Sequence, residues 1–167
     1  MYATIDLKDK KPDGTGAHAQ YFKLSIRRGV RLYDAGEFAR YEGKGAIHKD
    51  DVDFTEVARD FKFIRSIQCS IVPKVYRIVL IRWRGNWYAG LVMEHVQGVE
   101  LDKHIEEYGL SSPYNSLLKT IGNKFIKLTG YIHRDLHGGN VIFNRKTKTY
   151  KVIDLTMDYA TPTKKAA

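Results

Sequence analysis

Two stretches near the end of the sequence contain the residues best suited to chemistry. The first, His133 to Asn140 (HRDLHGGN), places a carboxylate, Asp135, and an amide, Asn140, on one glycine-containing loop. The second is a strand-like run that ends on Asp154. A short hairpin between the two stretches would bring Asp154 back beside Asn140. Carboxylate and amide oxygens are the ligands that magnesium prefers, so this part of the chain is a candidate cation site next to a free carboxylate.

The first stretch matches the pattern H-R-D-L-x-x-x-N and so resembles the catalytic loop of protein kinases. The resemblance implies that Asp135 orients a substrate hydroxyl and accepts its proton, while Asn140 binds Mg²⁺. By the same resemblance, Asp154 takes the place of the aspartate of the D-F-G motif, which binds the Mg²⁺ that bridges the phosphates. Here the triplet is Asp154-Leu155-Thr156, which lacks the glycine. The implied activity is phosphoryl transfer from ATP, with Mg²⁺ as cofactor.

A segment in the middle of the chain, Leu91 to Leu101 (LVMEHVQGVEL), is similar to the hinge of protein kinases. The resemblance implies that Met93 lines the base pocket. It also implies that the carbonyl of Glu94 and the amide of Val96 bond the adenine edge, and that Glu100 reaches the ribose hydroxyls.

The phosphate-binding residues are less sharply defined. Gly14 and Gly16 resemble a reduced glycine-rich loop over the phosphates. The family pattern places a phosphate-binding lysine on the third strand, where this chain has Arg31. Arginine can pair with phosphates, although its geometry differs from that of lysine. Lys23 is the alternative and would require one strand fewer before it; strand order favours Arg31, and both stay open.

A carboxylate partner for this cation is expected on a helix predicted at Asp53 to Ile67. Glu56 and Asp60 are four residues apart and therefore share a face of that helix. The distance to Pro73 favours Asp60. A solvated charge on the helix surface is the ordinary alternative for either residue.

The order of predicted elements indicates an α+β fold, because strands come first and helices second. We expect a single domain, 1–167, with a β-rich first lobe (1–96, including the hinge strand) and a mainly helical second lobe (97–167). The predicted strands are Tyr21–Ile26, Gly29–Tyr33, Val75–Trp83, Trp87–Val96, Val141–Phe143 and Tyr150–Leu155. Besides the helix at Asp53 to Ile67, helices are predicted near Glu37–Tyr41, at Leu101–Tyr108 and after Ser112-Pro113, with a loop at Lys8–Gly16 and a loose tail from Thr161.

The chain is short for the family it resembles. Protein kinases continue far beyond the D-F-G motif, so we expect a reduced second lobe that lacks the activation segment and the later helices. Minimal kinases of this kind resemble those of phages and those that bacterial pathogens inject as effectors, some of which work with a bound host protein. This resemblance implies a protein substrate, an activating host protein as a second partner, and a cytoplasmic location that includes the cytosol of a host cell.

Composition narrows the possibilities further. A hydrophobic content of 43% with 28% charged residues is ordinary for a globular domain, and no apolar run is long enough to predict a membrane span. The single cysteine, Cys69, excludes a disulfide within the chain and fits a reducing compartment. The net charge of +9 can attract nucleic acid, anionic lipid or an acidic protein, and it also suits a nucleotide site. No aromatic and basic motif of a nucleic-acid reader is present, so nucleic acid is not a predicted partner.

Three alternatives compete with a protein kinase. His133, Asp135 and His137 could be read as zinc ligands, but the two glycines that follow disfavour a helix and no further ligand of zinc type is evident. Many protein kinases have a lysine at the position of His137. The sequence Asp-Leu-His found here instead resembles the small-molecule kinases of the aminoglycoside type. Arg31 and the Asp-Leu-Thr triplet, in turn, fit a pseudokinase that binds a nucleotide or a partner without catalysis.

Overall fold

The computed structural model describes residues 2–15, 19–33, 47–109 and 114–163. Contacts divide the chain into two compact units, and each unit combines segments that are separate in the sequence. The first unit comprises Met1–Lys62 and Val75–His95, and the second comprises Phe63–Lys74 and Val96–Ala167. The predicted boundary between two lobes of one domain, placed between residues 96 and 97, stays a prediction. The predicted helix near Glu37–Tyr41 and the helix start at Ser112-Pro113 lie outside the described residues.

The first unit is built on a six-stranded sheet with the strand order β1-β5-β6-β4-β3-β2. β1 runs parallel to β5, and all other neighbours are antiparallel. The strands are β1 (Ala3–Lys8), β2 (Gly14–Thr15), β3 (Ala19–Lys23), β4 (Arg28–Tyr33), β5 (Val75–Trp83) and β6 (Asn86–Glu94).

The hairpin of β5 and β6 confirms the two strands predicted at Val75–Trp83 and Trp87–Val96, although β6 begins at Asn86 and ends at Glu94. Trp83 pairs with Asn86, so the turn consists of Arg84 and Gly85 alone. Both turn residues have positive φ, 49° and 79°, which is the backbone that two-residue hairpins need to match the twist of their strands. β-Branched and aromatic residues fill both strands and supply most of the apolar core of this unit, with Val79, Ile81, Trp83, Tyr88 and Val92 all buried.

The beginning of the chain differs from the prediction. The sequence from Lys8 to Gly16 is predicted as a loop, yet β1 includes Lys8 and β2 begins at Gly14. β1 itself is not predicted, because its only buried residue is Leu7 and its pairing with β5 is parallel. Local sequence carries little sign of a strand that forms by pairing at a distant edge. The loop after β1 is tied down where Trp83 Nε1 donates to the carbonyl oxygen of Lys10 at 2.9 Å.

Helix α1 (Thr55–Ser66) falls within the range predicted for it. Its start is fixed by Asp53, whose carboxylate accepts hydrogen bonds from the amide and the hydroxyl of Thr55 at 2.8 and 2.6 Å. Val57 and Asp60, from the part that belongs to the first unit, are both buried. The burial of Asp60 is unusual for a charged residue and marks it as more than a surface charge.

Among its described residues, the second unit contains two α-helices of its own, α2 (Leu101–Tyr108) and α3 (Tyr114–Thr129), and two small sheets. Helix α2 has the bounds that the sequence predicts. The three-stranded sheet has the order β10-β9-β7 and the two-stranded sheet has the order β11-β8. Their strands are β7 (Val99–Glu100), β8 (Tyr131–His133), β9 (Val141–Asn144), β10 (Thr149–Val152) and β11 (Ala160–Pro162).

The first residues of the predicted tail, 161–163, are held by hydrogen bonds. Instead of a loose segment from Thr161, residues Ala160–Pro162 pair with β8, and the amide of Thr163 donates to the carbonyl oxygen of Gly130 at 2.9 Å. This pairing holds the strand that leads into the predicted catalytic loop. Among the described residues, no helix is both long and apolar enough to span a membrane.

Candidate active site

The loop that follows β8 is organised around the side chain of Asn140. Its amide nitrogen donates to the main-chain carbonyl oxygen of Asp135 at 2.9 Å and lies 3.4 Å from the carboxylate oxygen Oδ2 of the same residue. Asn140 is buried, whereas half of the Asp135 side chain is exposed. The loop therefore presents one carboxylate outward and fixes it from within. With its nitrogen engaged in this way, the amide of Asn140 has its oxygen left as an acceptor.

Asp154 is brought to this loop by the hairpin of β9 and β10. In that hairpin Val141 pairs with Val152, and the amide of Ile153 donates to the carbonyl oxygen of Asn140 at 2.8 Å. The expectation that the second strand returns beside Asn140 is therefore confirmed. Asp154 itself has φ +56°, a left-handed backbone that is uncommon outside glycine and collects at functional sites.

The donors available here fit magnesium by their chemistry. Asn140 and Asp154 offer an amide oxygen and a carboxylate oxygen, and Mg²⁺ commonly takes one or two protein oxygens while keeping water and phosphate oxygens. In the described part of the chain, no group of three or more His, Cys, Asp or Glu side chains gathers that could hold a metal ion. The magnesium role of Asn140 and Asp154 stays a prediction.

His133 links the loop to the strand before Asp154. Its Nδ1 accepts a hydrogen bond from the amide of Asp135 at 3.3 Å, and its Nε2 lies 3.3 Å from the carbonyl oxygen of Ile153. This arrangement requires a neutral ring with its proton on Nε2. Burial lowers the pKa of His133, which favours the same neutral form. Because both ring nitrogens are engaged, His133 is a structural residue of the loop and not a metal ligand.

His137, which stands where many protein kinases have lysine, lies at the outer side of the loop. Its Nδ1 accepts a hydrogen bond from the amide of Gly139 at 3.2 Å. Its Nε2 is 3.8 Å from Oδ2 of Asp135, and both side chains are about half exposed. The imidazole therefore faces the predicted base directly, which a flexible lysine need not do.

Two further residues hold the loop, and sequence analysis did not find them. The hydroxyl of Tyr114 donates to Asp102 Oδ1 at 2.7 Å and accepts from the amide of Gly138 at 2.9 Å. The hydrogen bond to Asp102 raises the pKa of Tyr114, as expected for a phenol that donates to a carboxylate. A β-carbon on Gly138 would lie 1.8 Å from Asp102 Oδ1. Only glycine therefore fits between the loop and this brace, which gives one of the two loop glycines a steric reason.

In the first unit, Arg31, Tyr33 and Asp60 form a connected series of side-chain contacts. The guanidinium carbon of Arg31 lies 5.2 Å from the centroid of the Tyr33 ring, and the Tyr33 hydroxyl donates to Asp60 Oδ2 at 3.3 Å. Burial raises the pKa of Tyr33 well above its ordinary value, so the hydroxyl keeps its proton. Asp60 also lies 3.7 Å from Arg59 Nε. Tyr33 is a residue that sequence analysis missed, and it joins the strand of Arg31 to the predicted carboxylate on α1.

The other phosphate candidates lie on β2 and β3. Gly14 pairs with Tyr21, and Lys23 pairs with Gly29. The Lys23 side chain is exposed, and its amide donates to Asp13 Oδ2 at 2.7 Å. Tyr21 in turn pairs with Arg31; since alternate residues of a strand share a face, Lys23 and Arg31 lie on the same face of the sheet. Gly16 lies outside the described residues.

The predicted adenine and ribose contacts lie at the end of β6 and in the residues shortly after it. Glu94 ends β6 and pairs with Arg28. Val96 is half-buried. Glu100, in β7, pairs with Ile142 of β9 and forms an ion pair of 2.9 Å with Lys103. None of these positions contradicts the predicted contacts, which stay predictions.

No protein-family model matches this sequence, and no curated protein matches it. Among solved structures, the crystal structure of residues 1–466 of the protein kinase Rad53 in complex with AMP-PNP matches with a TM-score of 0.56. The fold is protein-kinase-like. The match covers 87% of this chain at 18% identity, a level at which likeness extends to the fold alone. The chain spans only 37% of the Rad53 chain.

Proposed function

We propose that this chain is an ATP- and Mg²⁺-dependent phosphotransferase that phosphorylates a protein hydroxyl of serine or threonine. The observation that carries the proposal is the loop geometry of the second unit. There, the side-chain amide of Asn140 donates a hydrogen bond to the main-chain carbonyl oxygen of Asp135, the predicted base. The main-chain carbonyl oxygen of Asn140 accepts a hydrogen bond from the amide of Ile153, the residue before Asp154. The kinase-like fold supports the same reading, as does the nucleotide analogue in the Rad53 structure.

In this proposal, the residues of the second unit prepare the acceptor. Asp135 orients the substrate hydroxyl and accepts its proton, while the amide of Asn140 holds the carboxylate in position. Neutral His133 keeps Asp135 and Ile153 in register through its two ring nitrogens. Asn140 and Asp154 would hold Mg²⁺, which supplies the positive charge that phosphoryl transfer requires.

The nucleotide is held by residues from the hinge and the sheet. The Glu94 carbonyl and the Val96 amide bond the adenine edge, and Glu100 contacts the ribose. Gly14 and Gly16 allow close approach of the backbone to the phosphates. Arg31, supported by the Tyr33 and Asp60 series, is the main phosphate cation in this proposal. Lys23, which lies on the same face of the sheet, is the second.

The substrate and partner belong to the same proposal. With a net charge of +9, the chain suits an acidic protein surface, and we propose a protein substrate with an activating protein partner, as in minimal kinases of phages and bacterial effectors. One cysteine and an ATP requirement fit a cytoplasmic setting, including that of a host cell.

The first test is an autophosphorylation assay with labelled ATP and Mg²⁺, repeated with generic acidic protein substrates. We expect transfer by the intact chain and a loss of at least about 100-fold in Asp135→Asn, the size of a removed general base. Glu106→Gln, which removes an exposed carboxylate from α2 of the same unit, is the matched control and should stay active.

The alternatives give different results in the same assay. Thermal stabilisation by ATP without transfer, in the presence of candidate partners, would replace the proposal with nucleotide binding by a pseudokinase. Transfer to aminoglycosides or other small hydroxyl compounds, but not to proteins, would replace the protein substrate with a small molecule. Transfer that persists in Asp135→Asn would contradict the assignment of the base.

A further inference from the structure

An aromatic side chain reaches across the neighbouring strand on the face of the sheet that carries Lys23 and Arg31. The ring of Tyr21 covers Gly29 of the neighbouring strand so closely that a β-carbon there would be 1.9 Å from the tyrosine oxygen and 2.3 Å from Cζ. Any other residue at position 29 would therefore displace the ring. Gly29 has ordinary strand geometry, so the glycine is explained by this close approach and not by its backbone angles.

The same ring is anchored at its far end. The hydroxyl of Tyr21 lies 2.9 Å from Nδ1 of His95, and the two rings are nearly parallel, with an angle of 19° and centroids 6.1 Å apart. Burial lowers the pKa of His95, so the imidazole is neutral and its Nδ1 can accept the phenol proton. The amide of His95 donates to the carbonyl oxygen of Arg27 at 3.1 Å, which fixes the backbone that carries the imidazole. Tyr21 and His95 together form an extended aromatic surface with one orientation.

This surface lies among residues that the proposed function assigns to a nucleotide. His95 stands between Glu94 and Val96, the predicted adenine contacts. Tyr21 pairs with Arg31 on the next strand, and Lys23 follows Tyr21 on the same face. The two rings adjoin two cations, since Arg31 is directly across from Tyr21 and Lys23 pairs with Gly29 beneath the ring. Aromatic rings beside cations complement a ligand that combines a flat base with a polyanion.

We propose that Tyr21 and His95 form an aromatic platform on which the base of the nucleotide stacks, a contact that rests on the proposed phosphotransferase function. Stacking depends on the area of overlap, so the bicyclic purine is the preferred base class. Gly29 positions the platform, because it allows the tyrosine ring to lie close against the strand.

The test is isothermal titration of the intact chain with ATP in the presence of Mg²⁺. We expect Tyr21→Ala to bind ATP roughly 10-fold more weakly, the usual size of a lost base–aromatic stack. Tyr21→Phe keeps the ring and should stay within about threefold of the intact chain. Tyr76→Ala is the matched control, because Tyr76 is an exposed tyrosine of the same unit that packs under Arg28, whose side chain faces the opposite side of the sheet from Gly29. It should bind ATP normally.

A second measurement does not depend on any variant. In the intact chain saturated with ATP, we expect upfield shifts of the adenine H2 and H8 protons and nuclear Overhauser contacts between them and the Tyr21 ring. Normal ATP binding by a folded Tyr21→Ala, or the absence of those contacts, would overturn the platform and leave the proposed function standing. Tighter binding by Tyr21→Ala would overturn it as well and show that the ring blocks the base site. Failure of the intact chain to bind ATP would remove both proposals.

Discussion

The predicted catalytic loop and the predicted phosphate-binding strands are held in different ways. In the loop, Asn140, Asp135 and His133 bond one another and the backbone over two to five residues of sequence, apart from the return of the hairpin at Ile153. On the strands, Tyr33 reaches Asp60 across 27 residues and Tyr21 reaches His95 across 74. The loop follows the kinase pattern closely, whereas the strands depart from it. Few residue types can orient a hydroxyl or bind Mg²⁺, whereas many types of side chain can contact a base or a phosphate.

The largest expected effect is that of Asp154→Gly, which should raise the stability of the protein while lowering its activity. Asp154 has a left-handed backbone at φ +56°, which glycine adopts without strain, so Asp154→Gly should stabilise the protein by up to about 1 kcal/mol. The same change removes the predicted magnesium carboxylate and should lower phosphoryl transfer by about 100-fold or more. Thermal unfolding and a steady-state assay on one preparation measure both effects.

Asp154→Asn is the matched variant for this experiment, because asparagine also tolerates the left-handed region. It should keep the original stability, lose activity and require a higher Mg²⁺ concentration. Full activity in Asp154→Gly would contradict the assignment of Asp154 as a metal ligand.

A smaller effect is expected at the brace outside the loop. Tyr114→Phe keeps the ring but removes the hydroxyl that joins Asp102 to the amide of Gly138. We expect kcat to fall by about 10-fold, because a loosened loop misplaces Asp135. The KM for ATP should stay unchanged. Tyr159→Phe, an exposed tyrosine of the same unit, is the control; an equal rise in KM and fall in kcat for Tyr114→Phe would show general damage instead of positioning.

On the strands, the corresponding change is Tyr33→Phe. It removes the hydroxyl donor to the buried Asp60, and the free energy of unfolding should fall by about 1–2 kcal/mol. If the series from Arg31 to Asp60 supports phosphate binding, ATP affinity should fall more than kcat, which is the reverse of the result for Tyr114→Phe. Denaturant unfolding and ATP titration measure the two quantities, with Tyr76→Phe as the control. A change in kcat alone would remove the distinction between loop and strands.

The smallest effect is a dependence of stability on pH. The pKa of His133 in the folded chain is lowered by burial, which outweighs the opposing influence of Asp154 and Asp135. The unfolded chain therefore binds more protons than the folded chain at mildly acidic pH, and stability falls as the pH decreases below about 6.5, the ordinary pKa of histidine. The pKa of His95 is lowered in the same direction. His133→Asn should thus show a shallower loss of melting temperature between roughly pH 7.5 and 5.5 than the intact chain, while an unchanged slope would contradict the buried, neutral state of His133.

Much of the local structure was accessible from the sequence. The bounds of α2 were predicted correctly, and the hairpin of β5 and β6 was predicted from two β-branched and aromatic runs on either side of Arg84-Gly85-Asn86. The structure shortens that turn to Arg84 and Gly85. The return of Asp154 to Asn140 was predictable because a hairpin connects residues that are close along the chain. By contrast, β1 and the pairing of β11 with β8 were missed, since their partners are distant in the sequence. In addition, most residues of β1 are exposed and β11 has no fully buried residue, so neither strand shows a clear alternating apolar pattern.

The sequence by itself determined which residues could perform the chemistry: a carboxylate and an amide on one loop, and a second carboxylate at the end of the next hairpin. Their types and spacing are constrained by the reaction and by local geometry, so they can be recognised from the sequence alone. Only the tertiary structure decided what supports them. The contacts of Tyr114 with Asp102, Tyr33 with Asp60 and Tyr21 with His95 each join separate elements. Such contacts depend on how strands and helices pack, and a tyrosine in a sequence does not reveal which distant partner its hydroxyl will meet.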